Sequence, residues 1–357
     1  MTIKFLKAFN GDSILIKYKE NSVVRNILID GGIGSTYFQK NKKGKIQYNE
    51  LFEVIESIRE NGEKIDLLIL THVDDDHIGG ILKWFKTDQS AIKLIDRVWF
   101  NSGRTIKQLF ESDKKLDYDN TIELEIDDST DTSIGQGVKF ENFLKENGVW
   151  NEKIIQAEQE IELLGLSFKI LSPDEDKLKN LLGKWKKEKP DTIDTTVKND
   201  YQVSIEEHIS NDDDFKEDKS KHNGSSIGFV MTFNGKNMMF LGDAFPSVVV
   251  SSLKSFGYSK ESPIDCEFVK ISHHGSKSNN SRELLELINT NNYIISTNGD
   301  KHSHPHKKLL SRIINHKNDC DIYFNYPELI DEMFSKNDIK AYSSFNPLPI
   351  NSEFNIK

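Results

Sequence analysis

The segment Thr71-His72-Val73-Asp74-Asp75-Asp76-His77 constrains this chain more than any other feature. It packs two imidazoles and three carboxylates into six residues, directly after the apolar run Leu67–Leu70. A short run with no polar residue reads as a strand buried on both faces, so the residues after it emerge at a sheet edge. Alternation along an extended loop puts His72, Asp74 and Asp76 on one side, and His77 then opens a helix. Asp75 is explained by a helix start alone. Three carboxylates this close repel one another unless a cation neutralises them. Imidazole and carboxylate donors together suit Zn²⁺, Mn²⁺ or Fe.

The remaining histidines follow the same rule. Seven of the ten fall in three short segments: His72 and His77; His273 and His274; His302, His304 and His306. The second segment, Ser272-His273-His274-Gly275-Ser276, follows the strand candidate Phe268–Ile271, and the third follows Tyr293–Ser296. A fourth strand candidate ends in Phe240-Leu241-Gly242-Asp243. Neighbouring histidines point in different directions, so His273 and His274 are expected to do different jobs, one toward metal and one toward packing or substrate.

Between these points the chain alternates strands and helices. Ile3–Phe9, Ser13–Tyr18 and Val23–Ile29 read as strands joined by short turns, an antiparallel opening. Helical spacing appears over 49–61, over Ile78–Phe85 and near Ser247–Phe256, Arg282–Asn289 and Lys307–Asn315. Asn234-Gly235 between two apolar runs predicts a tight hairpin. Residues 105–160 and 174–221 are harder to read and look like insertions. Two strand-rich halves with helices predict a layered α/β or α+β fold over 1–327, with 328–357 as a C-terminal extension.

Charge and composition narrow the function. No apolar run approaches the roughly 18 residues that a membrane span needs. The start of the chain carries no cleavable leader pattern, and the two cysteines, Cys266 and Cys320, form no framework, so a reducing cytoplasm is expected. The net charge is −10. Residues 111–135 hold nine acids against two lysines, and 205–218 hold seven against one; both read as solvated loops. Residues 254–318 hold ten Lys/Arg against six Asp/Glu. That local excess admits a phosphate-bearing substrate, while the overall acidity weighs against non-specific duplex binding.

Taken in order, these elements resemble the metallo-β-lactamase superfamily of metallohydrolases. Its usual signature is His-x-His-x-Asp-His after a strand, and this chain has Asp74 at the second His position. That variant, with Asp243, the His273–Ser276 loop and His304-Pro305-His306, is similar to the branch containing the hydrolase domain of the competence protein ComEC. Gly11-Asp12-Ser13, Ile29-Asp30-Gly31-Gly32, Leu171-Ser172-Pro173 and Asn223-Gly224-Ser225-Ser226 extend the resemblance over roughly residues 3–325. It implies a four-layer αββα sandwich with two divalent metal ions, Zn or Mn, at the sheet edges. By position, His72 and Asp74 hold one ion, Asp76 and His77 the other, and Asp243 bridges them. His304 stands where the family supplies a late ligand to the second ion. The place that matches the third imidazole of the first site is near Asn223, with His222 beside it: either His222 completes the site or the site keeps an open face. Asp74 makes that site more anionic and shifts preference from zinc toward manganese.

The expected activity is metal-assisted phosphodiester hydrolysis, with single-stranded DNA or RNA as substrate. The enzyme is expected to act alone or as one subunit of a bacterial defence or DNA-processing system. Asp76, Asp243, His273 and His274 are the expected catalytic residues, with Ser276 and Lys277 contacting phosphate. The alternatives are a small-molecule phosphodiesterase acting on a phosphocholine-type ester or a cyclic nucleotide, and a non-catalytic scaffold. Any protein partner would dock through the insertions.

Overall fold

The computed structural model describes residues 1–112, 133–150, 152–185, 199–212, 214–317, 319–350 and 353–356. Two sheets carry the fold. The first has six strands in the order Phe354–Asn355, Thr2–Phe5, Ile14–Glu20, Val23–Ile29, Leu67–Ile69, Val98–Trp99. The second has eight, in the order Phe345–Pro349, Cys320–Phe324, Asn292–Ile295, Phe268–Lys270, Lys236–Phe240, Gly228–Phe233, Leu166–Ser172, Glu160–Leu163. Each sheet is antiparallel on one side and parallel on the other.

Three hydrophobic clusters separate four layers. Ile3, Ile16, Ile27, Phe168, Phe229 and Phe268 fill the space between the sheets. Leu28, Leu68, Ile55, Ile81 and Trp84 seal helices onto the outer face of the first sheet. Val230, Val269, Ile295, Leu253 and Ile313 do the same for the second. Alternation explains the division: along Val23–Ile29, Ile27 and Ile29 turn inward while Leu28 turns to the helices. The expected four-layer αββα sandwich is therefore the observed architecture.

The predicted hairpin forms with Phe233 opposite Lys236, and both turn residues, Asn234 and Gly235, have positive φ. The described parts of 105–160 supply two helices, Gly103–Ser112 and Ser133–Asn147, whose Ile106, Phe140 and Leu144 join the first helical core. Residues 113–132 of the first acidic run, and 186–198 of the second insertion, lie outside the described residues. The second acidic run departs from the solvated loop expected of it. Asp212 is buried, accepting two hydrogen bonds from Arg312 (2.8 and 2.6 Å) and one from Arg282 (2.9 Å). Asp218 is turned inward to the site described below.

The segment 328–357 also does more than extend the domain. Phe345–Pro349 pairs in parallel with Cys320–Phe324 at the edge of the second sheet, and Phe354–Asn355 pairs with Thr2–Phe5 at the edge of the first. Pro347 and Pro349 are tolerated because the strand is an edge. Asp338 fastens the segment: its carboxylate meets the buried Lys307 ammonium at 2.9 Å and accepts the Ile205 N–H at 3.0 Å. Burial opposes ionisation there, but these hydrogen bonds and Lys307 prevail and hold its pKa at about 2.

Asp338→Ala leaves the buried Lys307 charge with the Tyr201 carbonyl but no carboxylate, and is expected to cost about 3 kcal/mol in urea denaturation. The native pKa lies below the ordinary 3.8, so the carboxylate stabilises above about pH 4 and loses that effect as pH falls toward 2. The difference between wild type and Asp338→Ala should shrink over that interval.

Candidate metal centre

The site lies where the parallel strands of both sheets end, the edge at which open α/β folds gather functional loops. Val23–Ile29 delivers Asp30, Leu67–Ile69 delivers Thr71 and His72, Lys236–Phe240 delivers Asp243, and Phe268–Lys270 delivers His273 and His274. The helix Asp75–Thr87 then brings in Asp76 and His77. Its close approach depends on Gly80, whose N–H donates to the Gly32 carbonyl at 2.8 Å, and where a Cβ would overlap the Gly31 carbonyl.

Two groups of donors share Asp243. In the first, His72 Nε2 lies 3.6 Å from Asp74 Oδ2 and 3.7 Å from Asp243 Oδ2, and His222 Nδ1 lies 2.7 Å from Asp74 Oδ1. In the second, His77 Nε2 is 3.4 Å from Asp243 Oδ1, and His274 Nε2 is 3.7 Å from Asp76 Oδ2 and 3.9 Å from Asp243 Oδ1. Asp12, His77, Asp243 and His274, all buried, bring one donor each within 4.8 Å of one another.

These atoms fit a cation. His72 Nε2, His77 Nε2, His274 Nε2, Asp12 Oδ1 and Asp243 Oδ1 are buried without a hydrogen bond. Each orphaned polar atom costs about 1–3 kcal/mol, and a divalent ion among them removes the penalty. The electrostatics agree. Burial penalises the charged forms of Asp243 and His77. Yet Asp243 is held far below the usual carboxylate range by His273, His77 and His274, and His77 far above the usual imidazole range by Asp243 and Asp30. A cation in the proton's place draws on the same field.

His72, His77 and His274 are each aimed by a partner on the other nitrogen. His77 Nδ1 meets Asp30 Oδ2 at 2.7 Å. Asp30 also accepts the Thr71 N–H (2.8 Å) and hydroxyl (2.7 Å), which leaves that hydroxyl oxygen to accept His72 Nδ1–H at 3.1 Å. His274 Nδ1–H donates to the Ser296 carbonyl at 3.0 Å, with Asp12 Oδ1 3.4 Å away. Asp12 is in turn paired with the buried Lys270.

His273 stands slightly apart, its side chain 19% exposed, with Nε2 3.5 Å from Asp243 Oδ2. Its Nδ1–H donates to Asn279 Oδ1 at 3.0 Å. Asn279 donates to Asp218 Oδ2 and to the Asp243 carbonyl, both at 3.1 Å. Burial lowers the basicity of His273, but Asp243 and Asp218 outweigh it and raise its pKa to about 9. His273 and His274 both adopt left-handed φ, near 48° and 51°, so consecutive side chains diverge: one faces the open side and the other the buried donors.

The structure thus brings His72, Asp74, Asp76, His77, Asp243 and His274 together, with His222 where a third imidazole was sought. His304 is not in either group. It is buried against His273, ring centroids 4.7 Å apart, and His274 occupies the place beside Asp76 and Asp243 instead. Ser276, expected to contact phosphate, is buried, and its hydroxyl accepts the Ser278 N–H at 3.2 Å. Lys277 is exposed beside the loop. The supporting residues Asp12, Asp30, Lys270, Asp218 and Asn279 carried no expected role. A lone Lys270 inside an apolar strand was the clearest available signal.

Residues 7–299 match the profile of the metallo-β-lactamase superfamily. The chain belongs to that superfamily. Among solved structures it is similar to the metallo-β-lactamase fold protein YhfI from Bacillus subtilis, at 9% identity and TM-score 0.40, with 99% of this chain and 98% of that one covered. An isothiocyanate hydrolase from Delia radicum gut bacteria shows 13% identity and TM-score 0.38 over 99% of both chains. A metallo-β-lactamase from Hirschia baltica shows 10% identity and TM-score 0.26, covering 69% of this chain and 72% of that one. No curated protein matches the chain. Membership in the superfamily and the buried Asp/His cluster make this a metal-dependent hydrolase with a site for a divalent ion. No helix among the described residues is long and apolar enough to cross a membrane.

Asp30 is bonded to His77 and Thr71 but belongs to neither donor group. Asp30→Asn should weaken zinc or manganese affinity by about 10–100-fold while leaving circular dichroism unchanged. Titration of metal-stripped protein with a chromophoric competitor measures this.

Proposed function

We propose that this metallohydrolase cleaves phosphodiester bonds with two divalent ions, Zn or Mn, and that single-stranded DNA or RNA is its substrate. His72, Asp74 and His222 would hold one ion, Asp76, His77 and His274 the other, with Asp243 shared. When bound, the ions supply an activated water near neutral pH and neutralise charge developing on phosphoryl oxygens.

The observation that carries the phosphate reading is the charge at the mouth of the centre. Seven of the ten Lys/Arg in residues 254–318 have carboxylate partners within 4.0 Å. Of the other three, Lys317 is bonded to Asn289, while Lys277 and Lys301 have no carboxylate partner among the described residues; Lys277 follows the His273–Ser276 loop and Lys301 precedes His302. These two exposed ammonium groups suit an anionic diester placed over the buried donors. Asn279 fixes which nitrogen of His273 faces the reaction. Its Nε2 is then placed to hydrogen-bond a phosphoryl oxygen or pass a proton to the leaving oxygen.

The same observation keeps a second substrate class in view. With most of the basic segment engaged internally, a small diester such as a phosphocholine-type ester or a cyclic nucleotide needs no more than Lys277 and Lys301. A protein partner would meet the chain on 105–160 or 174–221, apart from Asp212 and Asp218, which are committed to internal contacts.

Turnover of bis(p-nitrophenyl) phosphate, single-stranded DNA and RNA by metal-stripped protein resupplied with Mn²⁺ or Zn²⁺ tests the reading. Activity should require metal and fall about 10³-fold or more in Asp76→Ala. His273→Ala should lower kcat by about 10²-fold or more with metal content retained. Cleavage of the small ester without the polymers selects the second substrate class. Full activity of Asp76→Ala, or no phosphodiester turnover by the metal-loaded protein, overturns the proposal.

A further inference from the structure

The helix that brings Asp76 and His77 to the metal centre has a second face. Asp75, Gly79, Leu82, Lys83 and Lys86 fall along it at helical spacing and line a groove of about 920 Å³. The strand Phe38–Lys40 forms one wall and the helix Ser133–Asn147 the other. The groove starts at Asp75, between the donors Asp74 and Asp76, and runs to Lys86, about 16 Å along the helix.

Cations dominate its lining. Four lysines line it, Lys40, Lys83, Lys86 and Lys139, in a chain with a net charge of −10. Lys40, Lys83 and Lys86 have no carboxylate partner among the described residues. Lys83 donates to the Phe38 carbonyl at 2.8 Å and sits 4.1 Å above the Phe38 ring. Burial and the neighbouring Lys40 charge lower its pKa, the mark of cations gathered without a counterion. Asp75, the one carboxylate lining the groove among the described residues, accepts a hydrogen bond from Gln136 at 2.8 Å. Half-buried Phe38 and Phe143 offer aromatic surface, and Phe143 is stacked on Phe85 at 4.1 Å.

We propose that this groove binds single-stranded nucleic acid, with phosphates against its lysines and bases on Phe38 and Phe143, and leads the strand to the metal centre. Spaced ammonium groups with interleaved aromatic faces match a flexible polyanion whose bases are free to stack. An acidic peptide matches the charge but brings no flat rings to the phenyl groups. The link to catalysis rests on the phosphodiester reading above. Binding to the groove is measured without turnover.

The test uses the intact chain and a fluorescein-labelled phosphorothioate oligo(dT) of about twelve nucleotides, followed by anisotropy. Lys40→Glu combined with Lys86→Glu changes two exposed side chains. It should weaken binding at least tenfold and lower the slope of log affinity against log salt by about 1.4. Lys19→Glu with Lys336→Glu, equally exposed and elsewhere on the chain, should leave affinity within about twofold. Turnover of bis(p-nitrophenyl) phosphate should be the same in the groove variant and wild type. Equal affinity of the groove variant and wild type overturns the proposal, as does displacement of the oligonucleotide by oligo-glutamate as readily as by unlabelled oligo(dT). If wild type hydrolyses no diester, the phosphodiester reading fails and the anisotropy still decides the groove.

Discussion

Asp243 is a buried carboxylate that four imidazoles face, and the rest of the site depends on it. It follows the strand Lys236–Phe240, one position past Gly242, whose positive φ and closeness to the Ser226 hydroxyl leave no room for a side chain. Its N–H donates to that hydroxyl at 2.9 Å. A carboxylate held this firmly and left with an unbonded oxygen is a fixed negative point. Every histidine around it is then oriented by a bond on its far nitrogen, so the cluster is built before any ion arrives.

The charge distribution takes on a different meaning in three dimensions. Along the chain, acidic and basic stretches look like separate regions. In the fold, Asp212 meets Arg312 and Arg282, Asp338 meets Lys307, and Asp12 meets Lys270. Much of the basic excess of residues 254–318 therefore holds insertions and sheet ends in place. What is left of that excess without a carboxylate partner among the described residues is small.

A layered fold of strands and helices, the hairpin and the main His and Asp clusters were legible because each depends on a local pattern: an apolar run, a turn pair, or His and Asp immediately after a strand; the four-layer αββα order came from the family resemblance. Asp12 and Asp30 were not, since an Asp beside Gly after a strand reads as a turn. Their partners, His274 and His77, lie far along the chain. His222 was visible only as a neighbour of Asn223, because its surroundings are polar and carry no period. His304 was misleading for the opposite reason: a His-Pro-His loop looks like a ligand set, while the space beside Asp76 is filled by His274. The strand Phe345–Pro349 was hidden by its two prolines, which only an edge position permits.

Lys270 comes from the second sheet and Asp12 from the loop between the first two strands of the first. Their buried pair supports His274, which shares donors with residues of both halves. The centre cannot be complete in either half alone; it exists only once the two sheets have docked. Metal binding is thereby linked to sandwich closure, and any ion that binds this site acts as a clasp across the middle of the protein.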